Sequence, residues 1–144
     1  MKKFGIALVA ALLSASLLTG CSAGMKDGTY KAEYKNADDH GWKDYVQVTV
    51  SGGKISEVDF DSVNEQGVLK SADAGYKDAM EPVSGTYPEK FMKELEDQLV
   101  SKQEVKKVDT LAGATLSSDS FKVLVNEALS KGAKKGNTET IVVE

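Results

Sequence analysis

Tyr45-Val46-Gln47-Val48-Thr49-Val50, followed by Ser51-Gly52-Gly53-Lys54 and then Ile55-Ser56-Glu57-Val58-Asp59-Phe60, is the stretch whose reading decides the fold. Polar and apolar residues alternate in the first part, so Val46, Val48 and Val50 share one face of an extended chain. Gly52 and Gly53 supply the positive φ angles of a tight turn, and Ile55 to Phe60 returns as the partner strand. The step from Ile55 to Val58 and then to Phe60 breaks strict alternation, which predicts a bulge or an early twist in the returning strand.

Outward from this hairpin, Gly28 to Tyr34 reads as an earlier strand, and Asn36 to Gly41 is rich in turn formers. Beyond the hairpin the spacing becomes helical. Ser71 to Met80 gives a weak helix and Tyr87 to Val100 a clearer one, with Phe91, Met92, Leu95 and Leu99 on one side and Pro88 in its first turn. Thr86 with Glu89 reads as a capping box. Val105 to Asp109 reads as a short extended stretch. A last helix is predicted from Ser118 to Lys131, with Phe121, Leu124, Val125, Ala128 and Leu129 as its buried stripe and Gly132 as its stop. The run Ile141-Val142-Val143 is expected to add an edge strand. Strands followed by helices without a repeating alternation predict a single α+β domain, a small antiparallel sheet packed with two or three helices.

The N-terminus has the layout of a secretory signal: Lys2 and Lys3, an apolar run from Phe4 to Leu18, then Leu18-Thr19-Gly20-Cys21. The run is shorter than the roughly 20 residues a permanent spanning helix needs. Leu18 to Cys21 resembles the lipobox of bacterial lipoproteins, which implies removal of residues 1–20 and lipid on Cys21. An ordinary signal with an incidental cysteine is the alternative. The chain has one cysteine, so no internal disulfide is available to it, and the two or three acyl chains of a lipoprotein cysteine hold firmly where one is marginal. Residues 21–26 then form a tether and 27–144 the domain, on the outer face of the cytoplasmic membrane.

Charge narrows the partners. The chain carries a net charge of −4, and losing Lys2 and Lys3 takes it to −6, so nothing here invites nucleic acid. His40 is the one histidine, with no second histidine or spare cysteine to complete a zinc site, and Asp38-Asp39-His40 lacks the spacing of a calcium loop. The serines form no Gly-x-Ser-x-Gly elbow, which argues against a serine hydrolase.

What remains is Asp109-Thr110-Leu111-Ala112-Gly113-Ala114-Thr115-Leu116-Ser117-Ser118, read as a turn between a short strand and a helix N-terminus. Unpaired amides and the positive end of the helix dipole favour an anion there, and Gly113 and Ala114 let the backbone come close to it. Thr115, Ser117 and Ser118 add hydroxyls that also read as helix caps, and Asp109 also reads as a turn aspartate bonded to nearby amides.

Asp109 to Thr115 resembles the flavinylation motif of the FMN-binding domain family: an aspartate, two variable positions, Ser or Thr, then Gly-Ala-Thr. Ala112 stands at the Ser/Thr position, while the hydroxyl that must attack is present. The resemblance implies FMN joined to Thr115 by a phosphoester, made by a separate flavin transferase using FAD and magnesium, with Asp109 helping to position metal or threonine during modification. It extends through Gly41-Trp42-Lys43, the hairpin, Phe60 to Gly67, Lys70-Ser71, Asp73, Tyr76 and Met80, which together resemble the flavin-carrying lipoproteins of Gram-positive extracellular electron transfer. That implies an electron carrier and not an enzyme, with redox partners unnamed. Asn64 and Glu65 are the residues expected to make polar contacts to the flavin, and Trp42, Tyr76, Met80 and Tyr87 those expected to pack on it. A bond suits this setting, because a site with a dissociation constant near 1 μM, about −8.2 kcal/mol, stays mostly empty when the free cofactor is far more dilute. Non-covalent FMN binding, and a non-redox surface binding module of the same fold, are the alternatives carried forward.

Overall fold

The computed structural model describes residues 24–144, so the signal segment and Cys21 lie outside the described residues. Strand β1 (Gly28–Tyr34), β2 (Lys43–Ser51) and β3 (Lys54–Val63) form an antiparallel meander, and β4 (Ile141–Val143) completes a sheet of order β3-β2-β1-β4. Three helices follow the meander: α1 (Ala74–Ser84), α2 (Pro88–Lys102) and α3 (Thr115–Glu127). The domain is α+β, as the patterning predicts. One feature of the sheet differs: β4 runs parallel to β1, pairing Ala32 with Ile141 and Tyr34 with Val143, so the sheet is mixed. The free edge of β1 is where the chain arrives after α3, and it arrives running in β1's own direction.

The hairpin is as read. Gly52 and Gly53 have φ of 59° and 71°, and the Asp27 carboxylate accepts hydrogen bonds from both of their amides, at 3.0 and 2.9 Å. Val50 pairs with Ile55 but Thr49 pairs with Glu57, so Ser56 is the extra residue of a bulge in the returning strand. Val46, Val48 and Val50 are buried and face α2 and α3, where Phe60 and Phe121 meet edge to face with centroids 5.1 Å apart.

Helix α2 also covers an edge. As the outer strand, β3 would leave amides unpaired. The Phe60 amide donates to Glu96 Oε1 at 2.8 Å, and Gln103 answers Ile55 twice, accepting from its amide at 2.9 Å and donating to its carbonyl at 2.7 Å. Gln103 adopts a left-handed φ of 60° to do so.

Four local expectations are corrected. The capping box does not form: Pro88 takes the first helical position, which puts Tyr87 at the N-cap without a side-chain cap bond. Val105–Lys107 is a 3-10 turn and not a strand. Val105 and Val108, the residue that follows the turn, are buried, and a separation of three is the spacing of a turn. The last helix starts at Thr115 and not at Ser118, because Gly113, with φ of 79°, ends the preceding turn early. Gly132 does not stop that helix. It lies in a π-helical extension, Ala128–Ala133, where an added Cβ would come within 3.0 Å of the Tyr30 ring, so its role is close approach. Among the described residues, no helix is long and apolar enough to cross a membrane.

Burial holds the Glu96 carboxyl above its ordinary value of 4.5, with nearby Asp59 adding to the shift and the Phe60 amide opposing it. A raised carboxyl favours the folded state below its unfolded value, and that advantage is lost as pH rises through the folded one. Glu96→Gln keeps an acceptor for Phe60 and removes the ionisation. Chemical denaturation at pH 4 and pH 7 should therefore show the variant gaining on the wild type at the higher pH, and a gain in the opposite direction would refute the account.

Candidate functional site

Between the β1–β2 connection, helix α1 and the start of α3 lies a cavity of about 710 Å³. Its size falls within the range of cofactor sites, roughly 300 to 1,000 Å³. Trp42, Tyr76 and Met80 line it from the β2 and α1 side, Gly113 to Ser117 from the α3 side, and Asp44, Lys70 and Ser120 lie in its wall.

The α3 side is built by one buried hydroxyl. Ser118 is fully buried, donates to the Ala114 carbonyl at 2.8 Å and accepts from the Leu111 amide at 3.0 Å. This closes the loop Leu111 to Ala114 onto the helix it precedes. Ala114 is the N-cap and carries no side-chain cap bond, so the first-turn amides of α3 are left for a partner. Thr115, the first helical residue, is exposed at the cavity wall. Gly113 packs behind it, where an added Cβ would stand 2.6 Å from the Ser84 carbonyl oxygen at the end of α1.

Opposite, Trp42 and Tyr76 meet edge to face with centroids 6.0 Å apart. Trp42 is positioned by Asp38, whose Oδ1 accepts from the His40 and Trp42 amides, both at 2.9 Å. The Lys70 ammonium lies 5.8 Å from the Trp42 ring centroid and 4.6 Å from that of Tyr76. Asp44 accepts from the hydroxyls of Ser62 on β3 and Ser120 on α3, tying sheet to helix beneath the cavity.

The structure thus brings together Gly113, Ala114, Thr115 and Ser117 with Trp42, Tyr76 and Met80. It does not bring the other expected residues to the cavity wall. Ser118 is consumed by the loop clamp. Asp109 is exposed and ion-paired with Lys102 at 2.7 Å, which holds its carboxyl below the usual range. Asn64 accepts from the Gln66 and Val68 amides at 3.1 and 2.9 Å and so shapes the turn after β3, while Glu65 is exposed on that turn. Tyr87 packs beneath the Lys77 ammonium, 4.2 Å from its ring centroid. Asp44 is not among the expected site residues, and Lys70 enters the sequence reading only within the family resemblance, without a role at the site. Asp44 left a signal, since it stands two residues from Trp42 and two from Val46 on the inward face of β2; the local pattern around Lys70 gives no sign of its burial.

An uncapped helix start, a row of hydroxyls, two aromatic rings and a buried cation around one cavity fit a phosphate-bearing aromatic cofactor such as FMN. Comparison with known proteins agrees. Residues 41–130 match the FMN-binding domain. The chain is similar to the 15 kDa lipoprotein of Treponema pallidum (strain Nichols), with 43% identity over 133 residues, covering 92% of this chain and 94% of that protein. A crystal structure from Clostridium perfringens superposes with a TM-score of 0.79 at 40% identity, covering 83% of this chain and 97% of that one. A solution structure from Clostridium thermocellum gives a TM-score of 0.51 at 29% identity, covering 74% and 92%.

Gly113→Ala tests how rigidly the loop is seated. It combines a left-handed φ with collision against the Ser84 carbonyl, and should destabilise the domain by about 2–3 kcal/mol. Gly41→Ala has a similar φ of 82° but open space around the new Cβ, so it should cost only about 1 kcal/mol. Equal losses in denaturant unfolding would mean that the Ser84 contact gives way.

Proposed function

Because the chain belongs to the FMN-binding domain family, we propose that it is a lipoprotein that carries FMN, esterified through its phosphate to Thr115, and serves as an electron carrier on the outer face of the cytoplasmic membrane. The observation that carries this reading is the position of Thr115: an exposed hydroxyl at the first residue of α3, beside the uncapped amides of that helix and across a cavity from Trp42 and Tyr76.

The parts divide the work. Attachment by a flavin transferase joins the Thr115 oxygen to the FMN phosphorus as the pyrophosphate bond of FAD breaks and AMP leaves. The α3 amides and the Ser117 hydroxyl hold the phosphate where the helix dipole favours negative charge. Trp42, Tyr76 and Met80 offer the apolar surface on which an isoalloxazine ring packs. When bound, the flavin supplies the reversible electron transfer that no side chain here provides. Asp109, outside the cavity and exposed, is free to meet the transferase and has no part in the carrier afterwards. Thr115 is itself exposed and its helical neighbour Leu116 is 86% exposed, which leaves the acceptor open to that enzyme.

The lipid anchor on Cys21 rests on the lipobox and on likeness to a protein that is itself a lipoprotein. Ala112, in place of the motif's Ser or Thr, favours one second reading, in which the same cavity holds FMN without the ester.

Both readings are separated by mass. The full chain co-expressed with a flavin transferase, extracted from membranes and denatured, should carry the diacylglyceryl group and the mass of one FMN less water. Thr115→Val should lose the flavin mass completely and stay folded, since Thr115 is exposed and its side chain makes no hydrogen bond among the described residues. Flavin released on denaturation of the wild type would establish the non-covalent form. A colourless native protein would leave only the non-redox binding module, and retention of covalent flavin by Thr115→Val would show that another residue is the acceptor.

A further inference from the structure

Lys70 is 6% exposed, the one buried lysine among the described residues. Its ammonium lies over the rings of Tyr76 and Trp42, at 4.6 and 5.8 Å from their centroids, and no carboxylate stands within ion-pair distance of it among the described residues. Burying a lysine without a counter-charge is costly, and two aromatic faces offset only part of that cost. A surface lysine would avoid it.

The backbone is nevertheless built to keep it there. The buried carboxylate of Asp61 accepts from the Ser71 hydroxyl and from the Ser71 amide at 3.2 Å, pinning the turn Lys70–Ala72 to the end of β3. Asn64 closes the intervening loop, and Val63 bridges to Leu69. Lys70 lines the cavity together with Trp42 and Tyr76. That is the aromatic side, across from Thr115 and the α3 amides that suit a phosphate.

We infer that Lys70 is the fixed positive charge facing the flavin ring, stabilising its reduced anionic form over the oxidised one and so raising its reduction potential. This rests on the FMN reading above. Reduction of the neutral oxidised ring by two electrons and one proton, drawn from dithionite and water in the experiment, leaves one negative charge. The Lys70 ammonium supplies the counter-charge in place of a second proton on the ring.

The test uses the full chain loaded with FMN, with occupancy read by mass before any potential is measured. Lys70→Met preserves length and apolar stem and removes the charge; Lys70→Arg preserves the charge. With flavin content unchanged, Lys70→Met should lower the preference for reduced over oxidised flavin by about 10- to 100-fold, which is about 30–60 mV in the midpoint potential of a two-electron couple. Lys70→Arg should stay within threefold of the wild type, about 14 mV. A Lys70→Met potential within threefold of the wild type overturns the assignment, and equal shifts in both variants would assign the effect to packing. Loss of flavin from Lys70→Met with its circular dichroism intact would assign the lysine to the phosphate or to loading, which also overturns it. Should Lys70→Met fail to fold, Lys70→Gln against Lys70→Arg gives the same comparison. Wild-type protein without FMN is a different result, the failure of the FMN reading itself.

Discussion

A single buried hydroxyl organises the candidate site. By accepting from Leu111 and donating to Ala114, Ser118 folds the loop back onto its own helix, and everything exposed on that loop inherits its position. Thr115 becomes the first helical residue, the amides of the first turn stay uncapped, and Gly113 is pressed against the carbonyl of Ser84. A serine at the conventional capping position would have spent its oxygen on those amides. Here the oxygen is spent one turn further in, and the helix start is left available.

The opposite wall follows from how the sheet ends. Helix α1 buries none of its residues, so it is the C-terminal end of β3 that fixes the approach to the cavity. Asp61 ties down the turn that bears Lys70, and Asp44 joins β2 to β3 and α3 through Ser62 and Ser120. Two buried or half-buried carboxylates accept from hydroxyls and amides, and neither pairs with the nearby ammonium. The Lys70 ammonium therefore has no carboxylate at ion-pair distance among the described residues, although Asp38 and Asp44 line the same cavity.

The edges show the same economy. Gln103 and Glu96 on the α2 side satisfy the outer strand with side-chain groups in place of another strand, while β4 closes the other edge by pairing in parallel with β1. β4 is three residues long, so the edge strand on that side of the sheet is short.

Periodicity within a dozen residues was enough to read the hairpin, the bulge at Ser56, the buried stripes of α2 and α3 and the α+β class, because each depends on contacts between residues close in sequence or on one face of one element. The Gly-Ala-Thr turn was legible for the same reason. The start of α3, the 3-10 turn at Val105 and the direction of β4 were not, since they depend on what the chain meets on returning: Ser84 against Gly113, β1 beside Ile141. Lys70 is the extreme case. Nothing in its local pattern marks it for burial, and it becomes a buried cation only when Asp61, about 65 Å of extended chain from Trp42, is folded back to set it against two rings. The amino-acid sequence by itself determined the hairpin, the main helices and where the Gly-Ala-Thr turn lies; tertiary structure alone decided which charges share a cavity with that turn, because burial and counter-charge are properties of the assembled surroundings and not of any single segment.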